Sequence, residues 1–429
     1  MSNIAFYIDN SNISDIDVSN VESGNPGIGG TEFLIFLISF LLARRNNDLN
    51  IILYLRKSQV IPRSIKYVVV DSLDSAIKDA EAKDVDFFVV KHDVRYFLSL
   101  KSASPAKMKF IIWCHIFICY WELDYYLNNP LVHKIVYVGC EQRDLYRDHP
   151  LFEKSEYIYN CVGLRDCRAL VDKNPFDRRE HIVTYIGSLV QFKGFHLLAE
   201  AWPEILKKVP DAQLYVIGNG KIYDSDSKLG EFGIADEAYE KFFSKFLIQN
   251  NKLLPSVHFM GKMGEEKKDI LLKTKVGVPN PSGITETFCL SAVEMQIYGA
   301  RIATIKAPGY LDTVKNGILY KKSKDLAKTV ISLLRDNSTD YENAMEYFEK
   351  SFSHDAVVEK WESLLREKEL NADVFKNPSY RLKWVKELIR YVNRFIPLYK
   401  VFPPLERILI FIERNILKKI TFMDSDLKL

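Results

Sequence analysis

Residues 280–294, with the sequence NPSGITETFCLSAVE, contain the residue types best suited to chemistry. Glu286 and Glu294 are eight positions apart, about 2.2 turns of an α-helix, so both carboxylates can share one side of a helix. The intervening residues are mostly apolar, and a buried carboxylate is costly unless it is paired or hydrogen-bonded. Sugar hydroxyls would be suitable partners, and the amides of Thr287 and Phe288, at the predicted helix start, could bind phosphate. A salt-bridged core glutamate is the alternative.

Lys193 is the second candidate, in the segment YIGSLVQFKG at residues 185–194. The pattern predicts a strand, a turn and then a helix that starts at this lysine. A cation is unfavourable there, because a helix N-terminus already carries roughly +0.5 charge. A bound anion such as a diphosphate would account for Lys193. The alternative is an exposed lysine in a turn.

The first half of the chain offers Gly29, Gly30 and His115. The glycines lie in GNPGIGGTE, residues 24–32, where glycine lets the backbone approach a ligand and helix amides attract anions. The spacing differs from GxGxxG, and a plain glycine-rich loop is the alternative. His115 ends a predicted apolar strand, at the edge where doubly wound sheets bind ligands. The alternative is a structural histidine.

Two series of alternating strands and helices would hold these residues in place. Near-continuous apolar runs predict strands buried on both faces of a parallel sheet. The pattern is therefore that of two doubly wound α/β domains. A polar segment around Pro175 predicts a boundary near residue 174, with a ligand cleft between the sheets. The predicted strands are 4–8, 51–55, 67–70, 86–90, 110–115, 135–138 and 157–159, then 181–186, 213–217, 257–260, 276–279 and 301–305.

Composition excludes several classes of protein. Of the 429 residues, 47% are apolar and 27% charged, which argues against a disordered chain. Six cysteines without a close CxxC pair argue against a disulfide scaffold or a structural zinc site. The longest apolar run, residues 33–43, is too short for the ~20 residues of a membrane span. Residues 1–9 lack the features of a secretory signal, so we expect a cytoplasmic protein.

The positive charge is concentrated near the C-terminus. Residues 378–420 contain ten Lys or Arg and three Glu, whereas the rest of the chain has a small acidic excess. A basic amphipathic helix predicts peripheral contact with an anionic membrane, and docking on the protein itself or on another subunit is the alternative. One predicted face contains Trp384, Leu388, Tyr391, Val392 and Phe395, and the other Lys383, Lys386, Arg390 and Arg394.

Together these segments resemble the retaining GT-B glycosyltransferases of family four, the group-1 type. The resemblance spans about residues 4–365 and is strongest over 185–317. It implies two Rossmann-like domains that face a cleft (1–174 and 175–345), a crossing helix (346–370) and a C-terminal helical extension (371–429). It rests on 185–194, QLYVIGNG at 213–220, two glutamates separated by seven residues at 286 and 294, GARIAT at 299–304 and GYLDTVKNG at 309–317, with weaker similarity at 136–143 and 160–163.

The resemblance also implies roles for the candidate residues. A nucleotide-diphosphate sugar would be held mainly by the second domain, the acceptor would be selected by the first, and neither metal nor other cofactor would be required. Retention would follow a front-face route, in which the leaving diphosphate helps to deprotonate the acceptor. By position, Lys193 would contact the diphosphate, Glu286 the sugar hydroxyls, Glu294 the ribose, and the amides of Thr287 and Phe288 a phosphate, while Gly29 and Gly30 would approach the diphosphate and His115 would line the reaction centre.

One departure from the family pattern bears on activity. The family commonly has an arginine after the strand glycine, where this chain has Ser188, so one diphosphate cation is missing; Gly139-Cys140, where serine is usual, is a lesser difference. The expected function is transfer of a hexose to a saccharide or lipid-linked acceptor, in surface polysaccharide or glycolipid synthesis at the inner face of the plasma membrane. Alternatives are a non-catalytic GT-B subunit at the membrane, which Ser188 favours, and a sugar-nucleotide epimerase. Nucleic-acid binding by the basic tail is the least favoured, and we expect none.

Overall fold

The computed structural model describes residues 2–45, 48–96, 107–220, 228–368 and 382–412. The chain divides into two compact units: Met1–Cys161 with His354–Ile412, and Val162–Ser353. The first unit thus ends earlier than residue 174, and the short helix between the two positions makes its ion pairs in the second unit. In that helix Arg168 pairs with Glu342 and, at 2.9 Å, with Glu349.

The first unit is built on a sheet of seven described strands, all parallel, in the order β3-β2-β1-β4-β5-β6-β7. The central strands are apolar at successive positions because both faces of the sheet are covered. The strands are β1 (Ser2–Ile8), β2 (Leu49–Leu55), β3 (Lys66–Val69), β4 (Phe87–Lys91), β5 (Lys109–Cys114), β6 (Val132–Tyr137) and β7 (Ser155–Tyr157). The helices are α1 (Gly30–Arg45), α2 (Leu73–Ala82), α3 (Tyr120–Asn128) and α4 (Cys140–Asp144).

The second unit contains a sheet of six described strands, also parallel, in the order β12-β9-β8-β13-β14-β15, and a two-stranded hairpin. The sheet is formed by β8 (Ile182–Ile186), β9 (Gln213–Ile217), β12 (Val257–Gly261), β13 (Val276–Gly277), β14 (Arg301–Ile305) and β15 (Gly317–Tyr320), and the hairpin by β10 (Ile248–Gln249) and β11 (Lys252–Leu253). The helices are α5 (Cys167–Lys173), α6 (Phe195–Lys208), α7 (Glu237–Ser244), α8 (Lys268–Leu271), α9 (Leu290–Ile297), α10 (Pro308–Thr313), α11 (Leu326–Arg335) and α12 (Tyr341–Phe352).

Both sheets have the same serial order, and this order determines where loops converge. Strand order reverses between β1 and β4 in the first sheet and between β8 and β13 in the second. Loops that leave the carboxyl ends of such neighbouring strands diverge to opposite faces and leave a crevice for ligands. The residues after β8 and β13 therefore belong together, as do those after β1 and β4. The predicted Rossmann-like architecture of both units is confirmed.

The last helices belong to the first unit: α13 (His354–Leu365), α14 (Lys383–Asn393) and α15 (Leu405–Ile412). Helix α13 buries its apolar face, including Trp361. Helix α14 is amphipathic as predicted, but it buries Lys386, Arg390 and Asn393. Its larger apolar side chains Trp384, Leu388 and Tyr391 are exposed instead. Among the described residues, no helix has the length and apolar character needed to cross a bilayer.

Candidate functional site

Glu286 lies in the loop after β13, and its carboxylate is gripped by two nitrogen donors. Asn280 Nδ2 donates to Glu286 Oε1 at 2.6 Å, and Lys193 Nζ lies 2.5 Å from the same oxygen. Glu286 is 5% exposed, and these two donors offset the loss of hydration that burial of a carboxylate costs. The sequence analysis predicted an anion beside Lys193. In this structure that anion is the Glu286 carboxylate.

Glu286 precedes the helix, as predicted, and only Glu294 lies on it, so the two carboxylates do not share one side of a helix. Helix α9 begins at Leu290, because Cys289 before it has a left-handed backbone with φ 65°. Glu294 lies on α9 and pairs with Lys267 at 2.8 Å. Each glutamate therefore pairs with a different lysine. Glu286 does so from a loop and Glu294 from helix α9.

The loops after β8 and β13 are tied together at the site. Gly194, which precedes α6, has φ +68°, and a Cβ at this position would meet the amide nitrogen of Ser282 at 2.7 Å. The Ser282 hydroxyl donates to the carbonyl of Phe192 at 2.7 Å. Only glycine satisfies both the left-handed conformation and the close approach. This contact sets Lys193, one residue earlier, against the loop that carries Glu286.

The backbone at Thr287 and Phe288 is enclosed by helix α10. A Cβ on Gly309 would meet the Phe288 amide nitrogen at 2.6 Å, so the α10 backbone packs directly on this segment. Both residues are buried and precede the start of α9 by two residues or more. The adjacent Cys289 is no nucleophile at neutral pH, because burial raises the pKa of its thiol to about 12.

Ser188 is buried in the turn after β8. Its carbonyl accepts a hydrogen bond from the Tyr185 hydroxyl at 3.1 Å. The same hydroxyl donates to the carbonyl of Lys193 at 3.2 Å. The turn is therefore shaped by Tyr185, and position 188 carries no charge.

In the first unit, His115 follows β5 and packs against Trp113 with the rings tilted and their centroids 4.5 Å apart. The Nε2 atom is buried. Burial lowers the pKa of His115 to about 3, and the nearby Lys91 ammonium acts in the same direction. The imidazole is thus neutral throughout the physiological pH range and suits hydrogen bonding rather than proton transfer.

Gly29 and Gly30 lie at the start of α1, where a carboxylate covers Gly29. A Cβ on Gly29 would meet Glu32 Oε2 at 2.3 Å. Glu32 Oε1 pairs with Lys91 Nζ at 3.0 Å, across the switch point between β1 and β4. The glycine loop is shaped by Asn25, whose side-chain oxygen accepts from the amides of Gly27 and Ile28. The backbone at Gly29 therefore accommodates a side-chain carboxylate in this structure.

The sequence analysis missed the partners of the candidate residues. Asn280 holds Glu286, Lys267 holds Glu294, and Lys91 with Glu32 forms the charged pair near His115. A usable signal existed for two of them: Lys91 and Asn280 follow buried strands on the carboxyl side of a switch point. Among the described residues, no group of three or more His, Cys, Asp or Glu side chains is arranged to hold a metal ion.

The segment that contains this site matches a family of known proteins. Residues 168–351, most of the second unit, match the family described as Glycosyl transferases group 1. An uncharacterized glycosyltransferase of Haemophilus influenzae is 22% identical over 217 residues, which are 45% of this chain and 59% of that protein. The chain thus matches about three fifths of the length of that relative.

Solved structures show the same fold. Anabaena Alr3699/HepE, in complex with UDP and glucose, aligns with 86% of this chain and 100% of its own, with a TM-score of 0.61 and 14% identity. Sucrose-phosphate synthase from Thermosynechococcus elongatus aligns with 86% of this chain and 99% of its own, with a TM-score of 0.60 and 16% identity. At such identities the likeness concerns the fold alone, and it confirms the predicted GT-B architecture.

Proposed function

We propose that this protein is a retaining glycosyltransferase that moves a hexose from a nucleotide-diphosphate sugar to a saccharide or lipid-linked acceptor. The observation that carries the proposal is the Lys193–Glu286–Asn280 cluster at the switch point of the second unit. It lies within the segment that matches the Glycosyl transferases group 1 family. Surface polysaccharide or glycolipid synthesis on the cytoplasmic face of the plasma membrane is the setting we propose.

The cluster suits a donor because its members can exchange partners. When a diphosphate enters, Lys193 would turn from the Glu286 carboxylate to the phosphate oxygens, and Glu286 would accept hydrogen bonds from sugar hydroxyls. Asn280 would keep the carboxylate in place during the exchange. An ammonium on the leaving diphosphate stabilises charge that develops in the transition state. Glu294 is assigned to the ribose, and the amides of Thr287 and Phe288 to a phosphate.

The proposed chemistry is front-face displacement. The bond between the anomeric carbon and the diphosphate oxygen breaks, and the acceptor oxygen bonds to the same face of that carbon. The acceptor proton passes to an oxygen of the leaving diphosphate. His115, neutral because of its low pKa, would contribute a hydrogen bond to the reaction centre, and Gly29 and Gly30 would admit the diphosphate close to the backbone. The reaction as proposed needs neither a metal nor another cofactor.

Ser188 supports a second candidate, a non-catalytic GT-B subunit. A buried serine at this position leaves the diphosphate with Lys193 as its assigned cation. Removing one donor from a charge-stabilising site costs roughly 10²–10³ in kcat. The subunit would bind a nucleotide and transfer nothing.

The test is incubation of the full chain with UDP-, GDP-, ADP- and dTDP-sugars, with and without saccharide and lipid-linked acceptors. Mass spectrometry would follow both the acceptor and the donor sugar. We expect one donor to raise the melting temperature and to lose its sugar only when an acceptor is present. A ligand at 100 times its Kd adds about 2.7 kcal/mol of stability. Isomerised sugar without acceptor would instead identify an epimerase, and binding without any turnover would identify the subunit.

The decisive variant is Glu286→Gln, which keeps the size of the side chain and removes its charge. We expect transfer to fall by about 10²-fold or more. Glu237→Gln is the matched control, because Glu237 pairs with Lys228 at 2.9 Å on the surface of the same unit. Full activity of Glu286→Gln would overturn the assignment of this residue.

A further inference from the structure

Helix α14 and the turn after it present a row of apolar side chains to solvent. Trp384 is 57% exposed, Phe395 72% and Val401 76%. The helical members are spaced by three or four residues, so they form one stripe along the helix, and the rings of Tyr391 and Phe395 are 5.5 Å apart. We call the set the outer stripe: Trp384, Leu388, Tyr391, Phe395, Ile396, Val401 and Phe402, all exposed.

The inward face of α14 is charged, and ion pairs hold it against helices α4 and α15 of the same unit. Lys383 pairs with Asp144 at 2.5 Å and with Glu141 at 3.1 Å. Lys386 is 1% exposed and pairs with Glu406 at 2.8 Å. If the apolar face turned inward, the buried carboxylates of Asp144 and Glu406 would lose these cations. A buried charge without a partner is strongly unfavourable. The outward orientation of the stripe is therefore a property of the folded unit.

The charged groups that accompany the stripe at the surface are basic. Within residues 382–409, Lys400 and Arg407 are exposed, and Arg394 is exposed but pairs with Glu153 at 2.8 Å. The acidic residues of this segment, Glu387 and Glu406, are engaged by Arg147 and Lys386 and are not exposed. A surface with aromatic and aliphatic side chains and a basic border is complementary to an anionic lipid interface.

The body of the first unit adds to this surface. The Tyr120 hydroxyl donates to the carbonyls of Tyr399 and Phe402 at 3.2 Å, which ties the turn to the start of α3. Trp121, the next residue, is 54% exposed. Tryptophan and tyrosine are the residues enriched at membrane interfaces.

We propose that the outer stripe inserts into the interface of an anionic membrane, with Lys400 and Arg407 near the headgroups. The contact is then chiefly apolar, since Lys383, Lys386 and Arg394 are paired with carboxylates of the protein itself. A second copy of the chain fits less well, because a two-fold contact through the stripe would bring the basic borders together. The surface would bind lipid whether or not the second unit transfers a sugar.

The test is co-sedimentation of the full chain with phosphatidylcholine vesicles that contain phosphatidylglycerol. We expect binding that persists at 1 M salt, where the Debye length of about 3 Å screens purely electrostatic adsorption. The variant Leu388→Ser with Phe395→Ser should weaken partitioning by about tenfold or more. The matched control, Phe242→Ser with Met260→Ser, removes exposed apolar side chains of the second unit and should bind normally.

Fluorescence gives a readout that a merely structural role would not move. Trp384 emission should shift to the blue on addition of vesicles, and Trp384→Phe should lose this component while it still binds. Lys400→Glu should weaken binding to anionic vesicles more than to neutral ones. The proposal fails if the double variant, shown to be folded by circular dichroism, binds like the parent or if binding disappears at 1 M salt. It also fails if the chain does not bind vesicles. In that case a dimer that the double variant dissociates would identify the stripe as a contact between two copies of the chain.

Discussion

Helices α13 and α14 are neighbours along the chain and nearly equal in length, at 12 and 11 residues, yet they bury opposite faces. Helix α13 places Trp361 against Trp113 and Phe6, with ring centroids 4.9 and 6.1 Å apart. Helix α14 places Lys386 inside and Trp384 outside. The surface that each helix meets decides the outcome. The first meets aromatic residues of a sheet, and the second meets the acidic groups of α4.

An amphipathic sequence therefore predicts that a helix has an apolar face, but it does not predict whether that face is buried against the protein. Both helices have apolar residues at helical spacing. For α14 the buried side gains paired charges, and the apolar stripe is left for another apolar environment. The charged face of α14 therefore docks the helix, and its apolar face is available for another partner. Substitutions on α13 and α14 can distinguish effects on stability from effects on binding.

The largest effect on stability is expected from Trp361→Ala. Trp361 is fully buried, and its removal deletes the contacts with Trp113 and Phe6 and leaves a cavity. Such truncations cost about 3–5 kcal/mol. Urea denaturation followed by circular dichroism would measure the loss, with Trp361→Phe as the milder companion. A loss below about 1 kcal/mol would contradict the view that α13 is a core element.

A more local effect is expected from Lys386→Met, which leaves the Glu406 carboxylate buried without its cation. Removing one partner of a buried pair costs about 3–5 kcal/mol, here at the expense of docking of α14 rather than of the whole unit. Amide hydrogen exchange should show lost protection in residues 383–393 and unchanged protection in α13. Adding Glu406→Leu should restore much of it, since replacing both partners with apolar groups is often neutral. Failure of this rescue would mean that the pair is not what docks the helix.

The fold was predictable because its signal is local. Buried parallel strands are continuous apolar runs, and each predicted strand has a counterpart whose ends lie no more than three residues away. Strand β15 was missed, since GILY begins with glycine and its first two residues are exposed. Helix α12 was missed as well, although its buried residues recur at helical spacing (Tyr341, Ala344, Met345, Phe348 and Phe352).

The candidate site was predictable as a set of residues but not as a set of pairs. Spacing singled out Glu286 and Lys193, yet spacing carries no information on which side chains meet across 93 positions. The left-handed backbone at Thr285 and Cys289, which keeps Glu286 off the helix, has no glycine to announce it. The inward face of α14 was hidden for the same reason, because acidic groups as far away as Asp144 decide it.

The smallest effect on stability is expected from Trp384→Ala, and its smallness is the point of the comparison with Trp361. Trp384 has the same side chain on a helix of the same unit, but more than half of it is exposed. Surface substitutions usually change stability by within about 0.5 kcal/mol, and alanine favours the helix. Urea denaturation and hydrogen exchange should therefore match the parent, while vesicle binding weakens. A destabilisation above about 1.5 kcal/mol would mean that Trp384 packs against protein. Trp384 would then not be available for contact with lipid.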